Sequence, residues 1–295
     1  MKYKKTKQKL AVIIIGGILI AVVFLFSFVM SIKNKENTVS MFSWNYELED
    51  AKKLTENEKI IKEYHVVRIY QLFSEDYIKS DKMQTYMENA SDLDVSVICL
   101  TGDKSWIYDG LEEFRGIADA LEVYNRQAAE EDKIREIALD VECHTLEEWQ
   151  ENPKEIFKRY IRLMKEAKQY ANARDLKVIQ VIPTHLDDVD ETLFEQFLLE
   201  CCDELAVMNY NKMKAGTAIK TEYDLCMQYQ IPIESIFEMM PVDDVHGVTK
   251  DMTYYYDDRQ ELADAIKILK QQYGPELGIG LHHFSVVKEK YLKEQ

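Results

Sequence analysis

Eight short apolar or β-branched runs recur along this chain, and their repetition constrains the fold more than any other feature. Runs of this length that are apolar almost throughout are typical of strands buried on both faces of a parallel sheet. The runs span residues 40–46, 66–73, 95–101, 137–141, 178–183, 204–210, 236–241 and 277–282.

Charged segments with helical periodicity separate these runs. In residues 153–164, for example, Ile156, Tyr160 and Met164 share one helical face. Strand and helix therefore alternate over a domain near the ~250 residues typical of such folds, which predicts an α/β protein, a (β/α)₈ TIM barrel over residues 39–295. An open doubly wound sheet is the alternative, but no glycine-rich phosphate loop follows any run.

The N-terminal region has the features of a single transmembrane helix. Residues 11–30 are uncharged and almost wholly apolar, and a helix of this length spans roughly the 30 Å core of a bilayer. Five lysines lie in residues 1–10, which the positive-inside rule places in the cytoplasm. We expect a single-pass signal anchor in the cell membrane, a linker at 31–38 and an extracytoplasmic barrel. A cleaved signal peptide is the competing interpretation, although no small-residue cleavage site follows the apolar segment.

The chain beyond the anchor is strongly acidic. All 53 acidic residues lie after position 35, as do 30 of the 37 basic residues, which leaves a net charge of −23 there. This charge disfavours nucleic acid or an anionic lipid face as a partner, so contact with the bilayer is expected through residues 11–30. The negative charge is compatible with a neutral or cationic ligand. It is also compatible with a solvated acidic surface that only keeps the domain soluble.

The five cysteines form an odd set without the spacing of a metal site. Cys99 and Cys143 fall near the ends of neighbouring predicted strands, so a disulfide between them is an open alternative. Cys201 and Cys202 lie in an apolar helical stretch and are interpreted as core residues.

Two carboxylates end the fourth run. Side chains in a strand alternate between faces, so Asp140 and Glu142 are expected to point the same way. Two such groups repel each other and resist burial, which favours one of them staying protonated near neutral pH, as a general acid requires. The pair therefore suggests a glycosidase-type site.

Polar and aromatic residues follow the other runs. Barrel active sites lie at the carboxyl ends of the strands, and sugars are bound by stacking on aromatic rings and by directional hydrogen bonds. The candidate substrate-binding residues are Trp44, Tyr46, Gln71, Asp103, Trp106, Asn209, Glu238 and His282. Because His282 and His283 are consecutive, only one of them can enter the pocket, and we expect it to be His282.

Two motifs resemble glycoside hydrolase family 18, the chitinases and endo-N-acetylglucosaminidases, which are (β/α)₈ barrels. Asp140-Val141-Glu142 is similar to the end of that family's fourth-strand motif, and Met208-Asn209-Tyr210-Asn211 to its sixth-strand motif. The resemblance implies that Glu142 is the general acid, that Asp140 orients the substrate acetamido group and that Tyr210 supports an oxazolinium intermediate. It thereby implies substrate-assisted acid catalysis on an N-acetylated glycan of the envelope or surroundings, without a cofactor.

The chain also departs from that family. Glu136 and Ala138 stand where the fuller motif carries further aspartates, and Leu281-His282-His283-Phe284 stands where the eighth strand usually carries a tryptophan. A carbohydrate-binding barrel with weakened catalysis is therefore one alternative. A metal-dependent hydrolase or deacetylase is the second, because His144, His185, His282 and Asp103 could converge at the barrel mouth. The residue spacing gives little support to a metal site.

Overall fold

The protein is described by a computed structural model that covers residues 38–245 and 247–294. Eight parallel strands close into a barrel, each pairing with the next in chain order and the last with the first. This confirms the predicted (β/α)₈ barrel. The strands are β1 Val39–Ser43, β2 Val66–Leu72, β3 Ser96–Thr101, β4 Glu136–Leu139, β5 Lys177–Pro183, β6 Glu204–Met208, β7 Ile233–Glu238 and β8 Gly278–His282.

Helices follow the strands and pack on the outside of the barrel. Pro153 begins the longest of the described helices, where its missing N–H costs no hydrogen bond. Asp258 is the N-cap of another helix, with a capping box completed by Glu261. The described α-helices are α1 Ala51–Glu63, α2 Glu75–Ile78, α3 Asp81–Asp92, α4 Trp106–Asp109, α5 Glu112–Gln127, α6 Pro153–Asn172, α7 Glu191–Cys201, α8 Ala215–Ala218, α9 Lys220–Tyr229, α10 Arg259–Tyr273 and α11 Phe284–Glu294. Short 3₁₀ helices span Glu130–Asp132, Cys143–Thr145, Glu147–Trp149, Asp187–Val189 and Lys212–Lys214.

Each predicted run overlaps one strand, but the boundaries differ. The largest difference is in β7, which starts at Ile233, three residues before the predicted run at 236. Glu234 and Ser235 interrupt the apolar pattern there, yet both are buried in the folded protein. The Tyr70 hydroxyl donates a hydrogen bond of 2.7 Å to Glu234, so the polar partner that permits this burial comes from another strand.

Strand parity divides the core into two clusters. In β4, Ile137 and Leu139 pack against the helices, whereas Ala138 faces the inside of the barrel. The interior cluster consists of Phe42, Tyr70, Ile98, Leu100, Ala138, Ile179, Val181, Ala206 and Ile236, with Trp44, Leu72, Met208 and Tyr210 packed against it. Interior residues at the carboxyl ends of the strands therefore lead to the opening of the barrel, which we call the mouth.

Two further expectations concern the N-terminus and the cysteines. The expected anchor at 11–30, the basic segment at 1–10 and residues 31–37 of the linker lie outside the described residues. Within 38–245 and 247–294, no helix combines the length and the apolar character that a bilayer span requires.

All five cysteines lie within the described chain and are buried and free, so the possible Cys99–Cys143 disulfide is not formed.

Candidate active site

Asp140 lies directly after β4, and the end of β3 holds its backbone in place. Its N–H donates to the carbonyl oxygen of Thr101 at 2.9 Å, which extends the strand ladder by one residue. Gly102 directly follows Thr101, the last residue of β3. A Cβ atom at Gly102 would lie only 2.3 Å from the carbonyl oxygen of Asp140. The absence of a side chain at Gly102 therefore allows the two strand ends to approach and positions Asp140 at the mouth.

The carboxyl group of Asp140 is held in an environment that disfavours its charge. Its Oδ1 is buried and has no hydrogen-bond partner among the described residues. Burial, and then the charge of Glu142, raises the pKa of Asp140 to about 7, although His282 acts in the opposite direction. Asp140 is therefore partly protonated near neutral pH, and its buried oxygen makes no hydrogen bond within the described residues.

Glu142 lies in a turn and is the more accessible of the two. Thr145 N–H donates to its carbonyl oxygen at 3.0 Å, and its side chain is 45% exposed. Burial raises the pKa of Glu142, while Lys104 and His282 lower it. The repulsion that the spacing predicts acts on Asp140, whereas the pKa of Glu142 is raised by burial alone. The structure identifies Asp140 as the more strongly shifted group because it is more deeply buried.

Tyr210 reaches the same region from the end of β6. Its ring packs against the interior cluster. Burial raises the pKa of Tyr210 well above its usual value, and the charges of Glu238, Asp140 and Glu142 raise it further, which places the phenol near all three carboxyl groups. The hydroxyl therefore keeps its proton at neutral pH and can donate a hydrogen bond at the mouth.

His282, Glu238 and Trp44 complete the region. Nδ1 of His282 lies 2.9 Å from Oε1 of Glu238, whose side chain is 3% exposed. The Trp44 ring meets the His282 ring edge to face at a centroid distance of 4.8 Å and stacks on His283 at 4.9 Å. Trp44 and His282 thus line the mouth, whereas Glu238 lies buried beside the imidazole.

Two more histidines stand beside Glu142. Nε2 of His144 lies 3.9 Å from Oε1 of Glu142, and its ring is 5.3 Å from that of His185 between centroids. Burial, together with His185, lowers the pKa of His144 to about 4, so it is neutral at physiological pH. Within the described parts of the chain, no group of three or more His, Cys, Asp or Glu residues is arranged to hold a metal ion.

Five predicted substrate-binding residues are not brought to the carboxylate pair. Gln71 and Asn209 have the outer parity: Gln71 accepts from Tyr86, and Asn209 donates to Ala215 and Ser235. Tyr46 stacks on Tyr77, the buried Trp106 donates to Glu113, and the exposed Asp103 accepts the N–H of Ser105. Their contacts secure loops and helices, so we leave them out of the candidate site.

The structure adds residues that the motifs do not identify. Gly102 positions Asp140, Lys104 places a positive charge near Glu142, and His144 lines the same side of the mouth. A glycine directly after an apolar run is a sequence signal of close backbone approach and could have identified Gly102. Lys104 has no comparable signal, because it lies in a loop whose course depends on its packing. His144 was named from the sequence, but only as a possible metal ligand at the mouth.

Comparisons with known proteins concern the fold. No model of a protein family and no curated protein matches this sequence. A glycoside hydrolase family 18 chitinase from Pseudoalteromonas aurantia is similar with a TM-score of 0.55 and 11% identity, over 86% of this chain and 99% of that chain. A xylose isomerase domain protein from Planctomyces limnophilus is similar with a TM-score of 0.53 and 10% identity, over 87% of this chain and 93% of that one. The chain is therefore a (β/α)₈ barrel that resembles family 18 chitinases in fold and diverges from them in sequence.

Proposed function

We propose that this barrel is a glycoside hydrolase that cleaves an N-acetylated glycan by substrate-assisted acid catalysis. The single observation that carries the proposal is the buried, unpartnered Oδ1 of Asp140 beside the accessible Glu142. An acetamido N–H is a donor of the kind that this oxygen lacks, and Glu142 is the group that can reach a glycosidic oxygen. The fold shared with a chitinase supports the same reaction class.

The reaction needs no second carboxylate as nucleophile. In the form of the pair that carries its proton on Glu142, this residue transfers the proton to the glycosidic oxygen while the acetamido carbonyl oxygen attacks C1. The C1–O bond to the leaving group breaks and an oxazolinium ring forms. Asp140 accepts a hydrogen bond from the acetamido N–H, and the hydroxyl of Tyr210 donates to the acetamido oxygen. Water then attacks C1, the C1–O bond of the oxazolinium ring breaks to regenerate the acetamido group, and the water gives a proton to Glu142, which restores the acid. The two displacements at C1 together retain the anomeric configuration.

The test is turnover of chitooligosaccharides and peptidoglycan fragments by the wild type and by Glu142→Gln. The variant keeps the shape of the side chain and removes the transferable proton, so hydrolysis should fall at least about 10³-fold while binding persists. The exposed Glu147 provides the matched control, since Glu147→Gln makes the same chemical change outside the site. Equal turnover by Glu142→Gln and the wild type would exclude the assignment.

A carbohydrate-binding barrel without turnover is the second candidate, and one observation favours it. Ala138, which stands where the family carries an aspartate, faces the interior next to Asp140 and provides no polar atom for its Oδ1. Isothermal titration with the same oligosaccharides separates the two candidates. Measurable affinity without product release from the wild type would support the binding role.

We also propose that the barrel is membrane-anchored and extracytoplasmic. The lysines in residues 1–10 and the apolar segment at 11–30 support this orientation. Protease treatment of intact cells should remove the barrel domain from the cell surface. Digestion only after lysis would contradict the orientation.

A further inference from the structure

The end of β8 carries a histidine that is held by a buried carboxylate from the neighbouring strand. Nδ1 of His282 lies 2.9 Å from Oε1 of Glu238 at the end of β7. The same oxygen accepts the N–H of Met240 at 2.7 Å, and Glu238 as a whole is 2% exposed. A carboxylate held by two contacts in a buried position has little freedom, so it fixes the orientation of the imidazole.

The contact also determines which nitrogen of His282 faces the site. A carboxylate oxygen accepts hydrogen bonds, so Nδ1 carries a hydrogen and Nε2 is the nitrogen left for other contacts. The ring is held between Trp44, at a centroid distance of 4.8 Å, and Tyr210, at 6.0 Å. His282 is thus oriented by one buried acid and packed by two aromatic rings.

The carboxylate pair lies within electrostatic reach of this imidazole. A positive charge on His282 lowers the pKa of Asp140 and also that of Glu142. The titratable groups that face His282 are Asp140 and Glu142 from the end of β4, Tyr210 from β6, Glu238 from β7 and the adjacent His283. Three of these groups are carboxylic acids, and one of them, Glu238, is in direct contact with the imidazole, so a positive charge on His282 would lie among acidic groups.

We propose that His282, oriented by Glu238, is a positioning residue whose imidazolium stabilises the ionised Asp140–Glu142 pair. Its kinetic consequence rests on the proposed hydrolase function. When Glu142 gives its proton to the glycosidic oxygen, it becomes a carboxylate beside Asp140, and the imidazolium offsets the negative charge that develops there. The proton returns to Glu142 from the attacking water, so His282 itself exchanges no proton during turnover.

A titration of His282 tests the coupling without any assay of activity. The chain has six histidines, so NMR of histidine-labelled protein can follow each ring, and the signal lost in His282→Asn assigns this one. The coupling is reciprocal, so the midpoint of His282 should fall by about one pH unit in Glu142→Gln and in Glu238→Gln. It should not change in Glu147→Gln. A midpoint that is the same in wild type, Glu142→Gln and Glu238→Gln would overturn the proposal.

The kinetic arm distinguishes a positioning role from simple packing. His282→Asn should lower kcat about 10²-fold with little change in KM and move the alkaline limb of the pH profile upward, because Glu142 loses a neighbour that lowers its pKa. His65 is exposed before β2 at the opposite end of the barrel and has a φ of 53°, a conformation that asparagine tolerates, so His65→Asn is the matched control.

The NMR titration and the kinetic measurements can contradict the proposal independently of each other. Loss of substrate affinity at unchanged kcat in His282→Asn would make His282 a binding residue and overturn the positioning role. An unshifted alkaline limb with full folding by circular dichroism would overturn it as well. Absence of turnover in the wild type would instead contradict the proposed hydrolase function, and the NMR titration would still decide whether His282 is coupled to the pair.

Discussion

At the amino end of the barrel, Arg68 lies 2.6 Å from Glu204 and 3.4 Å from Glu136, whereas at the mouth the buried oxygen of Asp140 has no hydrogen-bond partner in the described chain. Glu234, also at the amino end, accepts hydrogen bonds from the hydroxyls of Tyr70 and Ser40. Both ends therefore bury carboxyl groups, but at the amino end a cation and hydroxyl donors contact them directly, whereas Oδ1 of Asp140 has no such contact within the described residues.

This difference in compensation indicates that the carboxyl groups at the amino end serve stability and those at the mouth serve function. Burial raises the pKa of Glu234, but Arg68 opposes the rise, so the cluster is compensated within the protein. At the mouth, burial and Glu142 raise the pKa of Asp140 to about 7, and its buried oxygen has no donor in the described chain to offset them. A carboxyl group that is buried without a compensating donor costs stability, and such groups cluster at functional sites, which in barrels lie at this end.

The largest expected effect is on activity at the mouth. Glu142→Gln should reduce hydrolysis at least about 10³-fold while the free energy of unfolding changes by less than about 1 kcal/mol. Within the described residues, the ion-pair-range contact of this half-exposed side chain is with His144, which is neutral at physiological pH. Turnover of chitooligosaccharides and urea unfolding of the same samples measure both. A large loss of stability would mean that the mouth, like the amino end, is built for folding.

The next effect is on stability at the amino end. Arg68→Met keeps the length of the side chain but leaves Glu204 and Glu234 without their cation, so the free energy of unfolding should fall by roughly 3 to 5 kcal/mol. Activity per folded molecule should stay close to that of the wild type. Urea unfolding measures the first quantity, and Arg135→Met, in an exposed pair with Glu130, is the matched control. A loss no larger than that of the control would contradict the contrast between the two ends.

A second uncompensated carboxyl group predicts how stability changes with pH. Glu222 in α9 is 0% exposed, both of its oxygens lack partners among the described residues, and burial, then Asp187, raises its pKa to about 8. Below about pH 4.5 the group is protonated in both states and costs nothing. Between that pH and about 8, Glu222 stays protonated in the folded protein but is ionised in the unfolded chain. The free energy of unfolding therefore falls as pH rises, on the order of 2 kcal/mol in total.

Glu222→Gln tests this pH dependence. The variant cannot ionise, so its free energy of unfolding should change less than that of the wild type between pH 5 and pH 8. Urea unfolding at three pH values gives the slope, and the exposed Glu147→Gln corrects for changes in overall charge. Parallel slopes for Glu222→Gln and the wild type would show that this carboxyl group is compensated in the protein.

The smallest expected effect is at Asp140. Its raised pKa means that stability falls as pH rises from about 4 to about 7 and stays lower above that. Asp140→Asn should therefore be more stable than the wild type at pH 8, on the order of 1 kcal/mol, because water at the mouth screens part of the cost. The variant also removes the repulsion on Glu142, which should move the alkaline limb of the activity profile to lower pH. Thermal melts at pH 5 and pH 8 and a pH profile measure the two effects. A limb that moves upward would contradict the electrostatic coupling of the pair.

Alternation along the strands made part of the site predictable. Asp140 and His282 have the interior parity and lie at the mouth, whereas Gln71 and Asn209 have the outer parity and bind neighbouring loops or helices. The same alternation, applied to every strand end, separates these two sets without a structure. The position of Tyr46 could not be predicted in this way. β1 ends at Ser43, three residues earlier, and side chains alternate between faces only while the backbone continues the strand.

The sequence by itself determined the barrel, its eight strands and the carboxylate pair at the end of β4, because apolar runs and period-two alternation are local properties of the chain. Only the tertiary structure decided that Asp140 is more deeply buried than Glu142 and that Glu238 holds His282 across 44 residues of sequence. Burial and electrostatic coupling depend on atoms that folding brings together from distant positions. No local pattern can therefore specify which of two neighbouring acids keeps its proton.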